Sequence, residues 1–157
     1  MAAEKRIAAE SSETTLVVTR VFNAPRSLVF KAWTEPEHLM RWWGPRGYTT
    51  SVSEMDRRPG GAYRFRMQSS EGVVHWWHGV VREIAPPSRI VWTCFVDDSD
   101  GKPISGETLL TVTFEDQGAR TKLTLHQAVF QTVTARDAHR GGWAGALDRL
   151  EEFLAQA

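Results

Sequence analysis

The 157-residue chain carries 19 Lys+Arg against 19 Asp+Glu and is 41% hydrophobic and 24% charged, the balance of a single globular domain with a sizeable core. A formal net charge of zero supplies no global field toward nucleic acid or anionic lipid, and no apolar run is long enough to span a bilayer. Neither nucleic-acid binding nor membrane insertion is therefore expected.

The opening residues 1–13, "MAAEKRIAAESSE", are charged and small, with no apolar segment of a secretory signal. They read as a flexible tail ahead of one domain over residues 14–157. Residues 15–22, "TLVVTRVF", are β-branched and apolar and form a first strand. Asn23 offers an N-cap, with Pro25 in the first turn of a helix through Trp33. Thr34 and Glu37 have capping-box spacing and open a second short helix to Trp43, which Gly44-Pro45 stops.

The middle of the chain is strand after strand, about six in all. Residues 62–68, "AYRFRMQ", alternate cleanly, with Tyr63, Phe65 and Met67 on one face. Residues 73–84 follow a Glu71-Gly72 turn, and residues 89–96 follow Pro86-Pro87. Residues 107–115 and 120–130 flank Gln117-Gly118 as a hairpin. The chain ends in a helix near residues 134–155, capped by Thr134 with Asp137, and carrying the apolar stripe Trp143, Leu147, Leu150, Leu154. Gly141, Gly142 and Gly145 lie inside it, each costing on the order of 1 kcal/mol relative to Ala. Close backbone packing or a bend would offset that cost. One antiparallel sheet with one long amphipathic helix makes a two-layer α+β domain, and the gap between its layers is a natural cavity.

The stretches "VFNAPRSLVFKAWTEPEHLMRWWGPRGY", "DRRPGG", "GVVREIAPPSRIVWT", "ARTKLTLHQAVF" and "GGWAGALDRLEEFL" occur in an order that resembles the homologues of the activator of heat-shock-protein-90 ATPase. That family lies within the START-like (SRPBCC) superfamily, which includes the birch pollen allergen. The resemblance covers residues 15–155. It implies the helix-grip fold: a curved antiparallel sheet wrapped around a long C-terminal helix, with two short helices after the first strand. Members of the superfamily bind lipids, sterols or other apolar ligands, act as cyclases or dehydratases, or assist chaperones.

The candidate chemistry is sparse. His75 and His78 are three apart on a strand and point to opposite faces, so they do not chelate together, and no metal or cofactor is expected. Gly60-Gly61 reads as a turn rather than a phosphate loop, with Arg57 and Arg58 solvated and Asp56 paired nearby. The acid–base candidates are Glu54, Asp56, Glu83, His78 and His126. Glu83 either faces inward, where its pKa would rise, or ends its strand in solvent. Cys94, the single cysteine, lies in an apolar run; it forms no internal disulfide and reads as a buried, inert thiol, which fits a reducing cytoplasm. No catalytic triad spacing emerges, so a cyclase- or dehydratase-like enzyme ranks third.

The seven tryptophans carry more information. Trp33 and Trp143 read as core. The adjacent pairs Trp42/Trp43 and Trp76/Trp77 must each split between two environments, by helical angle or by strand alternation. One of Trp42 and Trp43 is expected to anchor the short helix while the other borders a pocket mouth or an interface. The first functional expectation is therefore a small apolar or amphipathic ligand held in a central cavity. Its walls would be Tyr63, Phe65, Met67, Ile90, Trp92, Leu110, Val112, Phe114, Leu123 and Leu125, with Trp143 from the helix and Trp42 or Trp43 as roof. Parity leaves the Val73–Ile84 strand open and favours Trp77 with His75 inward. His75, Glu83 or Gln127 would orient the ligand. The competing expectation is a chaperone-associated or self-associating module, including a homodimer through an edge strand or the short-helix end.

Overall fold

The computed structural model describes residues 12–156. The tail expected over residues 1–13 lies outside these, apart from its last two positions. β1 (Leu16–Phe22) leads into α1 (Arg26–Thr34) and α2 (Pro36–Trp42), followed by β2 (Tyr48–Met55), β3 (Ala62–Ser69), β4 (Val74–Ala85), β5 (Arg89–Asp97), β6 (Pro103–Gln117), β7 (Arg120–Ala128) and the 24-residue α3 (Val133–Gln156). The strands form one antiparallel seven-stranded sheet in the order β1-β7-β6-β5-β4-β3-β2. β1 is thus carried past the two short helices to the far edge, beside the last strand.

Alternation decides what the sheet buries. Tyr63, Phe65 and Met67 of β3 point inward, as do Ile90 and Trp92 of β5, Leu110, Val112 and Phe114 of β6, and Leu123 and Leu125 of β7. α3 lays Trp143, Leu147, Leu150 and Leu154 on this face. The open question at β4 resolves toward Trp77 and Val81, which are buried, while Trp76 and His78 take the outer face. There the Arg64 guanidinium sits 4.2 Å over the Trp76 ring, and His78 meets Asp97 at 2.7 Å while stacking on Phe95.

Three helix starts differ from expectation. α1 is capped by Pro25 rather than Asn23: Pro25 keeps extended backbone and its carbonyl accepts from Leu28 and Val29. The capping box at α2 does not form, because the Thr34 hydroxyl donates back to the Phe30 carbonyl at 3.1 Å. Glu35 is the N-cap, with Pro36 in the first turn, where a missing N–H costs nothing. α3 opens at Thr132, whose hydroxyl accepts from the Ala135 N–H at 3.0 Å, and Asp137 pairs with Arg136 instead.

Candidate functional site

The junction after α2 builds the site. Trp42, the last residue of α2, donates its indole N–H to the Ala32 carbonyl at 2.9 Å and locks α2 onto α1. Trp43 is the C-cap, with φ −63° and ψ 138°, so the helical angle no longer fixes its direction. Both tryptophans of this pair are consequently buried, neither being left to solvent. Trp43 turns toward the sheet and meets Phe65, Trp77 and Trp143 edge-to-face, with ring centroids 5.1–5.2 Å apart.

Gly44 then adopts φ +95°, a backbone state open to glycine, and a side chain there would press Met67 and Thr50 at 3.3 Å. Arg149 of α3 fixes the following turn, donating one guanidinium nitrogen to the carbonyls of Trp43, Gly44 and Pro45 at 3.1, 2.9 and 3.2 Å. Two of the helix glycines lie against this turn. Gly142 and Gly145 face Pro45, where even a methyl group would lie within 3.6 Å of it. A methyl group at either would make ordinary van der Waals contact with the turn, while Gly141 faces open space.

Between this turn, the first half of α3 and the β3–β5 end of the sheet lies a cleft of ≈ 260 Å³. Its floor is Trp43, Trp77, Trp143, Met67 and Ala146, all buried. Gly44, Pro45 and Gly142 close one side. Tyr48, His75, Val96, Ile104, Ala138 and His139 form the rim, with Ile104 55% exposed at its outer lip. Ala138, Gly142 and Ala146 sit four residues apart on α3, one small side chain per turn, and that stripe makes the helix thin enough to leave the space.

Among the described residues no Asp, Glu, Lys or Arg lines the cleft. Its polar groups are Tyr48, whose hydroxyl stands 3.5 Å from His75 Nδ1, and His139, whose Nδ1 meets the Ala135 carbonyl at 2.9 Å. A carbonyl only accepts, so His139 Nδ1 carries the proton. Burial against Trp77 and Phe130 holds the His139 pKa below its ordinary value, partly offset by that hydrogen bond.

Of the residues expected to form the site, Trp43, Met67, His75, Trp77 and Trp143 come together at the cleft. Trp42, Tyr63, Phe65, Trp92, Val112, Phe114 and Leu125 lie in the closed core instead. The interior there is filled because Trp33 packs against Trp42, Trp43, Trp92 and Trp143 with centroids 4.8–6.3 Å apart. Among the described residues the cleft between the layers lies at one end. Two polar groups assigned to the ligand are committed elsewhere. Gln127, fully buried, accepts from the Trp143 N–H and donates to the Thr108 hydroxyl, both at 2.9 Å. Glu83 is exposed and pairs with Arg89 at 3.2 Å. Ile104, Ala138, His139 and Ala146 escaped the sequence reading, although the four-residue spacing of Ala138, Gly142 and Ala146 was there to be read. The loop pair Asp56–Arg58 forms at 2.9 Å, as expected. Among the described residues no helix is long and apolar enough to cross a membrane.

A curved antiparallel sheet gripping one long helix, with two short helices after the first strand, defines a START-like helix-grip protein. The chain belongs to the family described as "Activator of Hsp90 ATPase homolog 1-like protein", which matches residues 23–155. Among solved structures, a protein from Chromobacterium violaceum superposes with a TM-score of 0.82 at 27% identity, covering 90% of this chain and 96% of the other. A Nitrosomonas europaea protein gives 0.76 at 26% identity, covering 94% and 97%. The AHSA1 protein from Silicibacter pomeroyi gives 0.82 at 23% identity, covering 90% and 98%, a likeness of fold alone. No curated protein sequence matches the chain.

Proposed function

We propose that this domain binds a small apolar or amphipathic molecule in the cleft between α3 and the β3–β5 end of the sheet, without covalent chemistry. The observation that carries the reading is the pocket itself. Its ≈ 260 Å³ exceeds the roughly 150 Å³ apolar cavity that admits benzene, and its walls are aromatic with few polar groups, as ligand sites are. Cys94, the one thiol, is buried away from the lining, and its pKa is pushed up to about 12 by burial, which suits a packing role. That thiol, and a lining without Asp, Glu, Lys or Arg among the described residues, fit a cytoplasmic binding domain better than an enzyme.

The test is titration with an uncharged fluorescent probe such as N-phenyl-1-naphthylamine. Binding in the micromolar range, roughly −8 kcal/mol, is expected together with a shift in tryptophan emission. Ala146→Phe should fill the cleft and abolish binding while the protein stays folded, and Ile104→Arg should weaken it from the rim. No probe uptake by the wild type overturns the reading.

A second reading, docking to another copy of the chain or to a chaperone, draws on the edge strand β1, where Val17 and Val21 are 50% and 45% exposed. Sedimentation that shows only monomer at high micromolar concentration removes self-association, and an unchanged profile for Val17→Lys removes β1 as the contact.

A further inference from the structure

The polar end of the cleft restricts what its ligand carries. This rests on the reading of the cleft as a ligand site. His139 is fixed by its neighbours: Nδ1–H is spent on the Ala135 carbonyl at 2.9 Å, and the ring is packed against Trp77 and Phe130 at 5.8 and 4.9 Å. The ring nitrogen left over is Nε2, and in the neutral ring this tautomer makes it an acceptor only. The Tyr48 hydroxyl and His75 Nδ1 already face each other across 3.5 Å, so neither is a fully free partner.

Charge argues in the same direction. Among the described residues no Lys or Arg lines the cleft. Two arginines of the adjoining turn and helix are engaged, Arg149 by the carbonyls of Trp43, Gly44 and Pro45 and Arg46 by Glu152. An anionic head would enter without a counter-charge, at the full cost of desolvation. A cation has no carboxylate to meet.

We infer that the ligand is an uncharged, flat apolar molecule bearing one hydrogen-bond donor, such as a hydroxyl, and that His139 Nε2 is the acceptor that selects and orients it. The donor meets His139 Nε2, while the apolar body takes the tryptophan walls.

Equilibrium dialysis of the purified full chain against naphthalene, 2-naphthol and 2-naphthoate tests this. Wild-type protein should hold 2-naphthol roughly three- to tenfold more tightly than naphthalene, the increment of one hydrogen bond, and 2-naphthoate least. In His139→Phe the advantage of 2-naphthol should vanish with naphthalene binding retained, which also reports that the variant is folded. His139→Gln, which keeps an acceptor, should restore part of the advantage, and His75→Phe should leave it in place. If naphthalene binds but 2-naphthol gains nothing, or 2-naphthoate binds best, the inference is overturned and the ligand site stands. Retention of the 2-naphthol advantage in His139→Phe, or its loss in His75→Phe instead, also overturns it. If none of the three binds, the cleft reading itself falls.

Discussion

Cys94 and Tyr63 show how burial sets chemistry at the level of one residue. The Tyr63 hydroxyl accepts from the Trp77 indole at 3.0 Å and donates to the Thr93 carbonyl at 2.7 Å, with Cys94 Sγ 3.3 Å away. Burial raises the phenol well above 10 and the thiol to about 12. Both groups therefore keep their protons in the folded state at pH values where the unfolded chain loses them. Their contribution to stability is complete below the unfolded thiol value, roughly 8.5, and declines as the pH rises toward the folded values. At pH 8 a thiol-specific reagent should accordingly modify Cys94 at the rate at which the protein opens, and denaturant should accelerate it. Fast modification of the native protein at a rate indifferent to denaturant would contradict the burial. The inward set of the strands was legible at this scale because alternation has only two outcomes. The Trp42/Trp43 pair was not, since the rule that adjacent residues diverge holds inside a helix and Trp43 stands one residue past its end. Trp92→Ala and Phe65→Arg, which look in the sequence like mild probes of a ligand wall, strike side chains that are 1% and 0% exposed. They should unfold the protein, the first by about 3–5 kcal/mol.

Glycines separate the elements that merely contain one from those that require one. At Gly79 a Cβ would fall 1.9 Å from the Thr93 carbonyl oxygen of the neighbouring strand. Here β4 leaves the regular ladder and the Val80 N–H is taken by the Thr93 hydroxyl at 2.8 Å. Gly79→Ala must push β4 from β5, next to Trp77, and should cost more than 2 kcal/mol in denaturant unfolding. Gly141 is the opposite case, with nothing within 4 Å of a Cβ. Gly141→Ala should stabilise α3 by about 0.5–1 kcal/mol. Equal effects at the two positions would refute the packing argument. The sequence located α3, its apolar stripe and the hairpin of β6 and β7. It put the helix starts wrong by a residue or two, because Thr34 and Thr132 make hydrogen bonds that spacing alone does not choose between. β2 carries little alternation in "YTTSVSEM", with a bulge between Val52 and Glu54, and so offered no clear period to read.

At the scale of the molecule, the layers were legible and the position of the space between them was not. A sheet and a helix of known polarity must pack face to face, but where they fail to fill depends on side-chain volume summed over several elements. Five tryptophans, Trp33 with Trp42, Trp43, Trp92 and Trp143, close the centre, and the small residues of α3 open one end. Arg149 ties that end shut at the turn; Arg149→Met would strip the Trp43, Gly44 and Pro45 carbonyls of their common donor and should cost on the order of 2 kcal/mol while weakening probe binding. His139 couples the same region to pH. Its folded pKa lies below the ordinary 6.5, chiefly because burial penalises the imidazolium. The residues packed on the ring, Trp77 and Phe130, carry no charge; His75 is the other imidazole of the cleft, and Asp137, Arg136 and Arg140 are its charged neighbours on α3. The unfolded chain thus binds the proton first as the medium turns acidic. The stability contributed by neutral His139 is fully present above pH 6.5 and is lost as the pH falls below that value toward the folded pKa. His139→Phe has no such proton to gain. Urea unfolding at pH 8 and at pH 5 should show wild type losing more stability than the variant on acidification, all other titrating groups being common to both. Parallel losses in the two proteins would mean that the imidazole is as accessible to protons folded as unfolded, and the packing of His139 between Trp77 and Phe130 would have to be given up.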